Sequence, residues 1–348
     1  MVPRFLPRLL AWYASNGRDL PWRHTRDPYA IWLSEIVLQQ TRVSQGMDYW
    51  YRFMAAYPTV ETLAAASEDD VLRLWQGLGY YSRARHLHEA ARQIVAAGCF
   101  PNTLQEIRRL KGVGDYTAAA IGAFAFGLPV MAIDGNAYRV LARLNGVATP
   151  INSTEGKREF VLLADEAFGL PCDRPDDRPE GETYFGAANS AMMDFGSLVC
   201  TPKSPGCVAC PFAEDCVALR TRQVERLPVK LRKQKVTARY FRYYYIRCNG
   251  QTAIHQRGTG DIWQGLWEPV LVAEDRVPSW IEALRPRLLC AGVRHVLTHQ
   301  IIHADFFLVD ADSRPALPEG YRWIDEADIS RYAVPRLVER LLASLPDK

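Results

Sequence analysis

Leu110 to Asn136 reads LKGVGDYTAAAIGAFAFGLPVMAIDGN, and the organisation of the chain follows from it. Gly112 and Gly114 flank a single valine, so a hairpin there can adopt positive φ and bring its backbone N–H groups to the surface, where they can hold a phosphate. Thr117 to Phe126 predicts an Ala-rich helix whose positive N-terminal end points at the same anion. Gly127 and Pro129 stop it. Val130 to Ile133 is a short buried run that delivers Asp134 to the start of a helix over Asn136–Leu144. An anion clamp and a carboxylate therefore share one short segment, although Asp134 as an ordinary N-cap of that helix accounts for the same letters.

The chain has 348 residues, which implies two or three domains, and 48% hydrophobic residues, which implies a globular fold. A net charge of +3 is too small to decide on nucleic acid, because binding needs a clustered patch rather than a total. Phe5 to Ala14 is interrupted by Pro7 and Arg8 and is too short to span a bilayer, so the expectation is a cytoplasmic protein without membrane contact. Eight cysteines in a reducing compartment argue for thiols or metal ligands rather than disulfides.

Residues 4–16 read as an amphipathic helix carrying Phe5, Leu9, Trp12 and Tyr13. Asp27-Pro28 opens a second helix with Pro in its first turn. Within it Glu35 has Ile31, Trp32 and Leu38 at helical spacing, and apolar walls of this kind raise the pKa of a carboxyl, as a general acid requires. A glutamate on the solvent side is the plain alternative. Residues 61–98 predict two helices separated by LWQGLGYYSRAR, where Gly77 and Gly79 mark a loop and Leu78 and Tyr80 at its tip can push between bases. Arg83 and Arg85 would then face phosphates. A helix is expected to end at Gly169, before the Pro-rich loop Pro171–Thr183, and to resume over Tyr184–Val199.

Cys200, Cys207, Cys210 and Cys216 follow as C-x6-C-x2-C-x5-C, and four thiolates so spaced can wrap one tetrahedral or cubic centre. Cys99, Cys172, Cys248 and Cys290 match no pattern and read as plain thiols. The basic stretch Leu219–Lys235 reads as an interdomain linker, leaving 1–218 as an all-α domain and 236–348 as an α+β domain. In the latter, strands are expected over Arg239–Arg247, Thr252–Arg257, His295–Leu297 and His303–Val309, with helices near 278–288 and 326–345.

GVG between helices with DGN after it resembles the helix-hairpin-helix glycosylases of DNA base-excision repair. GRDLPWR followed by SEIVLQQTRV is similar to the motif of the MutY family of adenine DNA glycosylases, and the cysteine spacing is that by which this family and endonuclease III hold a 4Fe-4S cluster. DIWQGLWEP (261–269) and HVLTHQ (295–300) resemble segments of the MutT-like, Nudix-like C-terminal domain of the same family.

The resemblance covers nearly the whole chain and implies a monomeric, monofunctional glycosylase acting on double-stranded DNA that carries adenine opposite 8-oxoguanine or guanine. It makes Glu35 the general acid and base and Asp134 the stabiliser of the sugar cation, with Tyr116 and Asn136 orienting that Asp and Arg18 near the adenine. It assigns DNA contacts to Gln40, Thr41, Leu78, Tyr80, Gly112, Gly114 and Lys203, and recognition of the oxidised guanine to Thr298, where Ser is usual, and His299. Lys111 and Ser190 depart from the residues common at those places. No Nudix acidic box is found, so recognition rather than pyrophosphate hydrolysis is expected of the second domain. An endonuclease III-like glycosylase and lyase would need an amine nucleophile where Tyr116 stands. A non-catalytic iron-sulfur redox sensor would need neither carboxylate.

Overall fold

The computed structural model describes residues 4–169, 182–231, 236–273 and 277–346. Its contacts divide the chain into two units, Met1–Ala64 with Glu89–Arg232, and Ala65–His88 with Lys233–Lys348. Of the expected loop Pro171–Thr183, residues 171–181, with Cys172, lie outside the described residues.

Among the described residues the first unit is helical. It holds α1 (Phe5–Asn16), α2 (Pro28–Val37), α3 (Val43–Ala56), most of α4 (Val60–Ala65) and the C-terminal part of α6 (Ser82–Ala97), with α5 (Glu68–Trp75) falling in the second unit. After these come α7 (Leu104–Ile107), α8 (Asp115–Phe126), α9 (Gly135–Asn145), α10 (Thr154–Phe168), α11 (Tyr184–Leu198) and α12 (Val217–Arg220). Asp27 caps α2 by accepting from the amides of Tyr29 and Ala30, with Pro28 in the first turn where its missing N–H costs nothing. Gly127 ends α8 at φ 67°, a left-handed conformation that glycine adopts without a Cβ penalty.

The core of this unit gathers Leu9, Leu141, Phe160, Phe185, Phe195 and Phe212 between α1, α9, α10 and α11. One contact there needs glycine: a Cβ on Gly196 of α11 would stand 2.5 Å from the Cβ of Asn136 on α9, so the two helices approach closely at the start of α9. Basic residues 219–231 are not a free linker. Leu227 is buried, its carbonyl accepts from Arg143 at 3.1 Å, and the Val229 carbonyl accepts from the Ile151 amide at 3.0 Å, which straps the segment to α9 and to the turn before α10.

The second unit is built on a mixed sheet of β1 (Thr237–Cys248), β2 (Gln251–Gln256), β3 (Trp267–Glu268), β4 (Val270–Val272), β5 (Arg287–Val296), β6 (Gln300–Asp310) and β7 (Tyr321–Asp325). The order is β3-β2-β1-β6-β5, with β4 on β1 and β7 on β2. The long pair β1 and β6 is parallel, from Thr237 opposite Gln300 to Arg247 opposite Asp310. Phe241, Tyr243, Tyr245, Phe306 and Leu308 point from it into a core that Leu337, Val338 and Leu341 of α14 (Arg336–Ala343) cover.

The helix expected near 278–288 is only α13 (Ser279–Ala283), because Pro286 lacks a helical N–H and Arg285 before it sits at φ 53°. That expected over 326–345 is interrupted for the same reason at Pro335, leaving a 3-10 turn Glu326–Arg331 and then α14. Residues 65–88 pack within this unit: the Arg85 guanidinium donates to the Gln264 carbonyl at 2.5 Å, and the Tyr81 hydroxyl donates to the Val334 carbonyl at 3.4 Å. Among the described residues no helix is long and apolar enough to cross a membrane.

Candidate active site

A cavity of about 1000 Å³ opens in the helical unit, and Glu35, Tyr116 and Asp134 all line it. Glu35 comes from α2, whose residues from Tyr29 onward are all buried, so its carboxyl is 7% exposed among apolar neighbours. Burial pushes that carboxyl up to about 7, and the charge of Asp134 adds to the rise against a hydrogen bond from the Tyr116 hydroxyl. Burial, then Glu35 and Asp134, hold the Tyr116 hydroxyl well above its ordinary range, so it stays a donor.

Asp134 is both N-cap and cavity wall. Its Oδ1 accepts from the amides of Asn136 at 2.9 Å and Ala137 at 2.8 Å, and its Oδ2 accepts from the Asn136 side chain at 2.6 Å. Burial raises its pKa while these donors oppose the rise. The two sequence readings of this residue are therefore one arrangement, in which capping fixes the carboxylate against the cavity. Asn136 is held in turn by Arg139, which also donates to the carbonyls of Gly196 and Cys200, each at 2.6 Å.

The hairpin before α8 carries Gly112 at φ 76°, as expected. Gly114 caps α8 in an extended conformation that any residue adopts, and a Cβ there would meet nothing within 4 Å. Gln40 and Thr41 sit at the cavity rim, Gln40 at φ 55°. Arg18 lines the cavity, but its guanidinium is committed: its amide and Nε bind the carboxylate of Asp194 at 2.8 Å, and Arg23 shares the same carboxylate at 2.8 and 2.9 Å. Asp194, Arg23, Gln39 and Glu182 escaped the sequence reading. The one available signal was an aspartate inside the apolar helix Tyr184–Leu198.

Cys200, Cys207, Cys210 and Cys216 line one small cavity beside Arg143. Among the described residues no group of three or more His, Cys, Asp or Glu side chains is disposed to hold a single metal ion. Burial pushes the Cys210 thiol up to about 11, and the neighbouring Cys200, Cys216 and Cys207 add to it. Four thiolates gathered in this way repel one another unless a cationic centre sits among them, so the donor set fits an iron-sulfur group. Arg143 ties the loop to α9 through the carbonyls of Thr201 at 2.7 Å and Pro202 at 3.3 Å, with Lys203 next in the chain.

In the sheet-bearing unit a second concavity of about 520 Å³ is lined by Tyr80, Thr298 and His299, with Asp261 and Trp263. The hydroxyls of Tyr80 and Thr298 lie 3.0 Å apart. Of the expected wedge pair, Tyr80 is 48% exposed at φ 49°, whereas Leu78 is 6% exposed and is not at the tip. Arg83 does not face outward either: its guanidinium lies 5.0 Å from the Trp75 ring and donates to the Gly79 carbonyl at 3.2 Å, bracing the loop from within. Arg85 is occupied by Gln264.

Residues 33–163 match the model of the HhH-GPD superfamily base excision DNA repair protein, and residues 242–344 match the NUDIX domain. Human adenine DNA glycosylase is 39% identical over 237 residues, covering 65% of this chain and 41% of the human protein. The chain spans only about two fifths of the length of such relatives. A thermostable thymine-DNA glycosylase superposes with a TM-score of 0.55 at 28% identity, over 62% of this chain and 95% of that one. Adenine DNA glycosylase of Buchnera aphidicola subsp. Schizaphis graminum is 30% identical over 350 residues, 97% of each chain. Since that match runs through the helical unit, the cysteine loop and the sheet alike, the chain belongs to the adenine DNA glycosylase family.

Proposed function

We propose that the protein hydrolyses the N-glycosidic bond of adenine mispaired with 8-oxoguanine or guanine in double-stranded DNA, acting as a monomer. The observation that carries this reading is that a buried Glu35, its carboxyl pushed up to about 7, and a capped Asp134 line one cavity together with Tyr116. Adenine is a poor leaving group, so it is extruded from the stack and protonated on a ring nitrogen by Glu35 as the C–N bond breaks toward the base. Positive charge develops at the sugar beside Asp134, which stabilises it. Water then attacks the sugar, and ionised Glu35 takes the released proton, restoring the starting state. Gln40, Thr41, Gly112, Gly114 and Lys203 are assigned to the DNA strands, with Tyr80 as the exposed wedge.

Single-turnover incubation with a duplex carrying adenine opposite 8-oxoguanine tests this: the expected product is free adenine and an intact abasic strand. No release on that duplex would sink the proposal. Efficient borohydride trapping of an enzyme–DNA adduct would instead favour a lyase mechanism, for which no amine stands at Tyr116.

Thr298 and His299, at the exposed turn between β5 and β6, are assigned to the oxidised guanine. Thr298→Ala combined with His299→Ala is expected to reduce the preference for 8-oxoguanine over guanine by roughly tenfold, the cost of a lost polar contact of about 1–3 kcal/mol. An unchanged preference in the folded variant would remove that assignment.

Cys200, Cys207, Cys210 and Cys216 are assigned to a 4Fe-4S cluster, which when bound closes the loop that presents Lys203. Purified protein is expected to be brown and iron-loaded. Cys210→Ser should lose iron, stability and DNA affinity together, because Arg139 and Arg143 tie this loop to the helix that begins at Asp134. Colourless, zinc-loaded native protein would contradict the cluster.

A further inference from the structure

Among the described residues three carboxyl side chains line the large cavity, and two of them are assigned a part in bond cleavage. The third is Glu182, immediately before α11. It is held at both oxygens: the Ser190 hydroxyl donates to its Oε1, and the Tyr13 hydroxyl donates to its Oε2 at 3.0 Å. Ser190 is completely buried, and Tyr13 lies under Arg23, whose guanidinium is 5.6 Å from its ring. Arg18 and Arg23 together carry two positive charges onto the single carboxylate of Asp194, and Glu182 adds a second negative charge close enough to act on Arg23.

An ionised carboxylate has about four acceptor positions and no donor. Two are taken in Glu182, which leaves acceptors on a group that Ser190 and Tyr13 keep from turning away. Several other polar side chains of the wall are engaged. Asp134 spends its oxygens on Asn136 and Ala137, Arg18 and Arg23 on Asp194, and the Gln39 amide on Thr117 at 3.2 Å. Adenine presents an exocyclic N6 amine that donates, whereas guanine and hypoxanthine present an O6 that only accepts. A fixed acceptor-only group pairs with the first and repels the second, and discrimination built on such a hydrogen bond is steep because the wrong base leaves a buried acceptor facing another acceptor.

We propose that Glu182, oriented by Ser190 and Tyr13, is the specificity-determining residue that accepts from the exocyclic amine of the extruded adenine. This rests on the reading of the cavity as an adenine glycosylase site and adds the group that selects the base.

The test compares single-turnover cleavage of adenine, hypoxanthine and unsubstituted purine, each opposite 8-oxoguanine, by the full chain and by Glu182→Gln, whose amide can donate to O6. The ratio of adenine to hypoxanthine cleavage is expected to fall at least tenfold in Glu182→Gln, while purine, with neither amine nor carbonyl at position 6, is cut at nearly the parent rate. General damage to the fold would slow all three bases together and leave the ratio unmoved. Ser190→Ala, which keeps the carboxylate but frees Oε1, should lower the same ratio by a smaller factor and serves if Glu182→Gln folds poorly. A ratio unchanged in both variants overturns the assignment. Failure of the parent chain to release adenine would instead overturn the glycosylase reading itself.

Discussion

Glu35→Gln is expected to bind mispaired DNA normally and to release adenine slower by a factor on the order of 10²–10⁴, because an amide cannot donate the proton. Its fold should gain rather than lose. Burial has raised the Glu35 carboxyl from an ordinary 4.5 to about 7, so the native state keeps a proton there that the unfolded state gives up. The sign of that linkage makes the parent progressively less stable as pH rises from about 4.5 to about 7, by a few kcal/mol at most. A neutral glutamine escapes this cost, so the variant should withstand more urea than the parent at pH 8 while the two converge near pH 4. The parent's cleavage rate should fall as pH rises through about 7, where the acid loses its proton. A loss of activity below about tenfold, or about 1.4 kcal/mol of barrier, would show that another group supplies the proton.

Asp194→Ala should be the most damaging substitution for stability in the cavity wall. The Asp194 side chain is fully buried and is the shared acceptor of Arg18 and Arg23, the latter with only 10% of its side chain exposed. Burial raises the Asp194 pKa, yet the hydrogen bonds from Arg23 and Arg18 outweigh it and leave the carboxyl below its ordinary value. Removing it takes away the carboxylate that both guanidinium groups share and leaves them only the more distant charge of Glu182, at a cost of about 3–5 kcal/mol. Urea unfolding of the iron-loaded protein should show this. The cleavage rate should fall as well, since Arg18, Arg23 and Tyr13 all shape the cavity. A stability loss under about 1 kcal/mol would mean that the arginines find other partners.

The sequence made Glu35, Asp134 and the four cysteines legible for local reasons. Helical spacing puts apolar residues round Glu35, a cap signal sits at Asp134, and the cysteine intervals lie within one short stretch. Asp194 and Glu182 were not legible, because their partners Arg18, Arg23 and Tyr13 lie near the other end of the helical unit and no periodicity reports a contact across that separation. Leu78 and Tyr80 carry equal weight as loop apolar residues in the sequence. The positive φ of Tyr80 and the packing of Arg83 on Trp75 then turn one outward and the other in. In the sheet, β1 and β6 were found because they are long, whereas Trp267–Glu268 and Val270–Val272 are too short to show a period of two. Strand β5 was recognised only at its end, because register shifts between Leu288 and Val293 break its alternation.

Residues 65–88 belong to the unit whose sheet begins only after residue 233, and this sets an order of events during synthesis. Leu72 finds its neighbour Gly265, and Gln76 its partner Glu339, only when the C-terminal part of the chain has been made. A ribosome adding roughly 5–20 residues per second needs on the order of ten seconds to make residues 89–232 alone. At the end of that interval the helical unit has nearly all of its own sequence, while the apolar side chains Val71, Leu72 and Trp75, fully buried in the finished protein, still await their partners. The nascent chain therefore passes through a stage with a folded body and one sticky, unfinished segment emerging from it, and that segment is where a chaperone would bind.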